Sequence, residues 1–197
     1  MGLRRRSREL AMQAVFYMDM REGRPAEQLT LVCRSRRPSR KTRDFFLELV
    51  NGVIRGRVQI DALVERFSSN WKISRMAGVD RNVLRIAVYE LFCCPDIPPK
   101  VTINEAIDIA KKYGSDDSGA FINGILDSIR LTLEKEGLEL QVPDGPPLEI
   151  GAAAVDADET APPEDPPPRF HPVGRKPGVV RKRTVRAVSN PAENGSP

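Results

Sequence analysis

Residues 79–91 read Val-Asp-Arg-Asn-Val-Leu-Arg-Ile-Ala-Val-Tyr-Glu-Leu, and their spacing decides the fold class. Val83, Ala87 and Leu91 fall four apart on one line with Ile86 beside them, which is the repeat of an amphipathic helix and not of a strand. Pro95, Pro98 and Pro99 then stop it. Downstream, Thr102 and Glu105 have the S/T-x-x-E spacing of a capping box, placed either at a helix start or one turn inside it. That helix runs to Lys111 and Lys112, whose charges suit a C-terminal turn, and Gly114 is expected to end it in the left-handed conformation. A further helix opens at Asp117 or Ser118 and carries Phe121, Ile122, Ile125, Leu126, Ile129 and Leu133 inward.

Upstream the same periodicity holds. Leu10, Ala14 and Met18, flanked by Ala11 and Val15, make a stripe on a first helix over residues 4–21. A short helix over 26–36 fits between Pro25 and Pro38. Phe46, Leu49, Val50, Val53 and Ile54, then Ile60, Leu63, Val64 and Phe67, give one long or two short helices over 41–69. The expected class is all-α, a bundle of about seven helices. After Leu140 the pattern stops. Residues 141–197 hold 12 of the 17 prolines and, with glycine, reach roughly 30 %, the level of disordered sequence. The expected division is a helical domain over 1–140 and a Pro-rich tail over 141–197. Within that tail, 144–165 carries seven acidic and no basic groups, and 175–186 six basic and no acidic ones.

The formal charge of the 197-residue chain is only +4, but the first 43 residues hold 12 basic against 4 acidic side chains. The excess centres on Arg4, Arg5, Arg6 and Arg8, which repel one another and sit at the positive end of a helix dipole; a polyanion would relieve both effects. Four contacts to single-stranded RNA would give a log–log salt slope of about −3, a loss of about fifty-fold between about 50 and 200 mM salt. Phe16 and Tyr17 follow within two to three turns, and the stripe of the first helix can bury only one of them fully. Core packing is the default fate of either ring and of Phe121.

Other chemistry is excluded on inventory. The only histidine, His171, lies in the tail, so neither a catalytic triad nor a His-based metal site can form in the helical part. Cys33, Cys93 and Cys94 form no C-x-x-C pair and fit reduced thiols in a cytoplasmic protein. No apolar run reaches membrane-span length, and Glu9 and Asp19 interrupt any signal-peptide reading, with a transit peptide the lesser alternative. There is no Gly-rich phosphate loop and no cofactor motif. Glu90, seven residues after Val83, is expected to be partly buried in an ion pair, with Arg81 and Arg85 as a neighbouring basic stripe; Asn104 and Asn123 read as buried amides tying helices together.

Residues 79–91, the run Ile-Asn-Glu-Ala-Ile-Asp-Ile-Ala-Lys (103–111) and the run Phe-Ile-Asn-Gly-Ile-Leu-Asp (121–127) together resemble the NusB transcription antitermination family. Asn70-Trp71, the Arg-Arg-x-Arg-Glu-Leu-Ala-x-Gln-Ala run of 5–14, and Gly114 match in the same order, so the resemblance spans about 3–135. It implies a helical fold of two subdomains, no catalytic residues and no cofactor. It also implies a function: binding boxA-type RNA of ribosomal RNA leaders together with the small-subunit ribosomal protein NusE, within the antitermination complex on RNA polymerase. Carried onto this chain, the RNA surface includes Arg4, Arg5, Arg6, Phe16, Asp117 and Phe121, and Asp80, Arg85 and Glu90 lie toward NusE. A ring packed on one face and open at an edge reconciles this with the core reading of Phe16 and Phe121. Phe16 stands where the family commonly has tyrosine, and Ala120 where many members have a basic residue. The alternatives are an accessory domain of an rRNA-modifying methyltransferase system and a protein-only helical adaptor.

Overall fold

The computed structural model describes residues 2–69 and 71–151. Seven helices follow in order: α1 (Leu3–Asp19), α2 (Pro25–Arg36), α3 (Arg40–Arg55), α4 (Arg57–Phe67), α5 (Gly78–Cys93), α6 (Pro99–Tyr113) and α7 (Ser118–Glu136). A single 3-10 turn, Ile73–Arg75, lies between α4 and α5, and no strand occurs among the described residues. The all-α expectation holds.

The stretch that decides the class is the central helix. Every residue of α5 from Asn82 to Glu90 is buried, because α1, α3, α4, α6 and α7 all pack on it. Its large aliphatic side chains, Val83, Leu84, Ile86 and Val88, contribute roughly 1.5–3 kcal/mol each when removed from water. On one side α1 lies against α2 and α3; on the other α6 and α7 pair with each other. The stripe on α1 is buried as read, Leu10, Ala11, Ala14, Val15 and Met18 included. Residues 41–69 resolve into two helices because the chain bends at Gly56, which has ψ of 9°.

Several local expectations change. Gly114 is not left-handed: its φ is −97°. Glycine is required there by space, since a Cβ would lie 2.5 Å from Ser118 Oγ and 2.9 Å from Asp80 Oδ1. Left-handed helix ends occur instead at Gly137 after α7, with φ of 65°, and at Arg37 after α2, with φ of 44°. Thr102 lies one turn inside α6, which Pro99 opens, and its hydroxyl turns inward to Glu90, so it caps nothing. Asn104 and Asn123 are exposed; the amides that tie elements together are Asn82, bonded to Asp19 and Arg85, and Asn51.

The boundary expected at residue 140 falls inside packed chain. Leu138, Leu140, Val142, Leu148 and Ile150 pack against the core, Arg55 Nη1 donates to Gly145 O at 2.8 Å, and Leu148 N donates to Asn51 Oδ1 at 2.7 Å. An extended strap therefore continues to Gly151, whose amide donates to Thr30 Oγ1. Alternating apolar residues are present in the sequence there, but three prolines and three acidic groups mask them. The basic block of 175–186 and most of the acidic block lie outside the described residues.

Candidate nucleic-acid interface

The four N-terminal arginines do not act as one group. Arg8 points into the protein: its Nε and Nη2 each donate to Glu90 at 2.7 Å, Thr102 Oγ1 donates to the same carboxylate at 2.5 Å, and Glu105 stands 3.5 Å away. Arg8 is 4 % exposed and Glu90 0 %. The cavity beside this pair is about 10 Å³, room for a single water.

Arg4, Arg5 and Arg6 stay outside. Arg4 meets Asp96 at 2.6 Å, Arg5 meets Asp108 at 2.9 Å and Glu105 at 3.5 Å, and Arg6 meets Glu9 at 3.6 Å. Each charge thus has a carboxylate nearby that offsets the mutual repulsion expected from the sequence. Two of the arginines also meet the Phe45 ring, with Arg4 at 5.5 Å and Arg8 at 5.4 Å from its centroid.

Glu9 extends the basic edge across to α6. It is fully buried and accepts from Lys112 Nζ at 2.7 Å and from Tyr113 Oη at 3.2 Å. Burial alone would lower the Lys112 ammonium, but its bonds to Glu9 and Tyr113 outweigh that and hold it above its ordinary value, so it stays charged. The stem of Lys111 lies over Gly119 in the first turn of α7, where a Cβ would come within 2.9 Å of Lys111 Cε. Phe121 follows on the same helix, half-buried, and Asp117 stands exposed at the helix start without a side-chain cap bond. Direct contacts therefore link Arg6, Glu9 and Lys112 on one side, and Lys111 and the start of α7 on the other. Phe16 is also half-buried, its ring against Gly78 at the start of α5, whereas Tyr17 takes the buried place on α1. Both rings assigned to the surface are thus partly exposed while packing against the core.

The three residues expected to face a protein partner are internal. Arg85, 2 % exposed, donates from Nε and Nη2 to Asp61 at 2.7 and 2.8 Å and from Nη1 to Asn82 at 2.8 Å. Its other anion is Asp19, which also takes Arg57 and Arg81 at 2.5 Å. Burial raises the Asp19 carboxyl, but Arg85 and Arg81 outweigh it and hold it below the usual carboxylate range. Asp80 is 7 % exposed beside Gly114 and Ser118, and burial pushes its carboxyl up against the opposing bond from Ser118. Arg85 and Glu90, expected on the partner-facing side, are desolvated charges held by internal counter-charges, Asp61 and Asp19 for the one and Arg8 for the other. In the sequence Lys111 and Lys112 read only as helix-end charges; their contacts with Gly119 and Glu9 appear only in the structure.

The sequence model of the NusB family matches residues 5–130. The transcription antitermination protein NusB of Desulfatibacillum aliphaticivorans is 54 % identical over 136 residues, covering 69 % of this chain and 95 % of the relative. Among solved structures, NusB of T. maritima is similar with a TM-score of 0.62 at 38 % identity, covering 68 % of this chain and 97 % of that one. A structure of the antitermination factors NusB and NusE in complex with dsRNA is similar with a TM-score of 0.61 at 27 % identity, covering 66 % and 97 %.

Proposed function

This chain belongs to the NusB family, and on that premise we propose that the face running from Arg4, Arg5 and Arg6 through Lys112 and Lys111 to Phe121 is the surface on which it holds RNA. The protein is a transcription antitermination factor and not an enzyme. Its RNA is of the boxA type found in ribosomal RNA leaders, it binds with the ribosomal protein NusE, and the pair joins the antitermination complex on RNA polymerase in the cytoplasm. No helix of the described residues is long and apolar enough to cross a membrane.

The observation that carries this reading is the set of contacts that joins Arg6 through Glu9 to Lys112, and Lys111 to the first turn of α7, two residues before the half-buried Phe121. Guanidinium and ammonium groups take phosphates, and a partly exposed ring can take a base. Phe16 and Phe121 are the rings, and Asp117 is an acceptor for base or ribose donors at the start of α7. Asp80, Arg85 and Glu90 act by fixing the position of α5 rather than by touching NusE. The seven helices, with the strap to Gly151 packed on them, are the RNA-binding unit.

Binding of a boxA-like and a scrambled RNA, each with and without NusE over a salt series, tests this. With Arg8 turned inward, three arginines remain, so their share of the slope is about −2, or about twenty-fold between about 50 and 200 mM salt. Changing Arg4, Arg5 and Arg6 together to glutamine should remove that share and leave NusE binding unchanged. Equal affinity for both RNAs, with or without NusE, refutes the proposal.

A further inference from the structure

Trp71 is the only tryptophan of the chain, and it is 53 % exposed. Its ring meets Phe121 edge-on, with centroids 6.2 Å apart and planes at 65°, and the Arg75 guanidinium lies over it at 6.0 Å. Described residues on either side hold Trp71 in place. Trp71 N donates to Ser68 O at 3.2 Å, and the buried Ser68 hydroxyl donates back to Trp71 O at 2.6 Å. Two residues on, Ile73 N donates to Glu65 Oε1 at 2.8 Å, while Lys72 Nζ donates to the other carboxylate oxygen at 3.2 Å. The ring is therefore presented on backbone anchored at both ends, and a ligand stacking on it orders little further chain.

The chemistry around the ring selects the ligand. An indole that is half exposed, with Phe121 against it and the Arg75 guanidinium over it, can take a flat aromatic group, and Arg75 and Lys72 beside it supply positive charge for a phosphate. An apolar side chain of a protein would use the ring but supply no anion for the Arg75 guanidinium, whereas Lys72 already has Glu65. The 65° between the two rings does not suit a continuous stack of bases but suits bases splayed apart, as in single-stranded RNA. We propose that Trp71, with Arg75 and Lys72, is a second stacking subsite that takes a nucleotide neighbouring the one held at Phe121. This rests on the reading of the Phe121 face as an RNA surface.

Because Trp71 is the sole tryptophan, its fluorescence in the full chain reports on this position alone. Titration with boxA-like RNA should quench it with the same Kd that a mobility-shift assay gives. Trp71→Ala should weaken RNA binding by roughly ten-fold or more, Trp71→Phe should keep most of the affinity, and Arg75→Gln should lose several-fold, all with wild-type helical content and NusE affinity. If the RNA shifts without quenching and Trp71→Ala binds as wild type, the subsite is wrong and the Phe121 reading stands. If Trp71→Ala weakens NusE binding and not RNA binding, the ring is a protein contact and the subsite is overturned. If no RNA binds in either assay, the subsite and the reading beneath it both fail.

Discussion

Replacing Glu90 by alanine tests whether this carboxylate is structural or partner-facing. In the native protein it takes two guanidinium N–H groups of Arg8 at 2.7 Å and the Thr102 hydroxyl at 2.5 Å, with no exposed surface. Removing one member of a buried ion pair costs about 3–5 kcal/mol, because the other charge is left desolvated and unpaired. Glu105, 3.5 Å from Arg8 Nη1, compensates in part, which places the expected loss near the lower end, at about 3 kcal/mol. For a chain of this size that is a fall in Tm of about 10 °C. The double change Arg8→Met with Glu90→Leu removes both charges and should recover most of the loss, since apolar replacements of a buried pair are often neutral. Urea unfolding of the two single variants and the double variant measures this directly. A Glu90→Ala protein within about 1 kcal/mol of wild type, or one that is fully stable yet loses NusE, would refute the structural role.

The Asp19 carboxyl is held below its ordinary value, so its contribution is present above the unfolded value near pH 4 and disappears as the pH falls through the folded one. Asp19→Asn should therefore lose about 3 kcal/mol at neutral pH and show a shallower acid limb in a stability–pH curve; a curve parallel to wild type contradicts this. Burial and then Glu48 push the Cys94 thiol up to about 12, and burial pushes Cys33 up to about 11. Labelling by a thiol reagent at pH 7 should be roughly a thousand-fold slower at Cys94 in the native than in the unfolded protein, read by peptide mass mapping. Ending the chain after Gly151 should leave Tm unchanged, whereas ending it after Gly137 should remove the strap and cost about 1–2 kcal/mol, the free energy that a docked segment needs to stay five- to thirty-fold populated.

How far the sequence could be read depends on whether the deciding contact is local. The helices were legible because their apolar spacing is a property of neighbours three and four apart, and Glu90 was legible as a buried acid because it falls on the apolar line of Val83. Arg8 carried a comparable signal: it stands three residues before Ala11 and seven before Val15, on the stripe that α1 buries. Grouping it with Arg4, Arg5 and Arg6 by nearness in sequence hid that. Its partner lies 82 residues away, and Lys112, which joins α6 to the basic edge, finds Glu9 at a separation of 103. No spacing rule reaches so far. Trp71 was visible only as part of a matching string, because its exposure and its edge contact with Phe121 depend on how the loop after α4 meets α7.

Burial then decides what each arginine can do. Arg4 and its partner Asp96 both keep more than half of their side-chain surface in water, at 55 % and 62 %, and an ion pair so placed holds less than about 1 kcal/mol. A phosphate competes with such a carboxylate on nearly even terms, so on the proposed RNA surface Arg4 would exchange Asp96 for a phosphate, and Arg5 would exchange Asp108 with only somewhat more difficulty. Arg8 cannot exchange, because a phosphate would have to follow it into a site with room for one water. The same residue type within five positions thus serves two ends: Arg8 secures α1 to α5 and α6, and that anchorage holds Arg4, Arg5 and Arg6 at the surface in a fixed array before any RNA is bound.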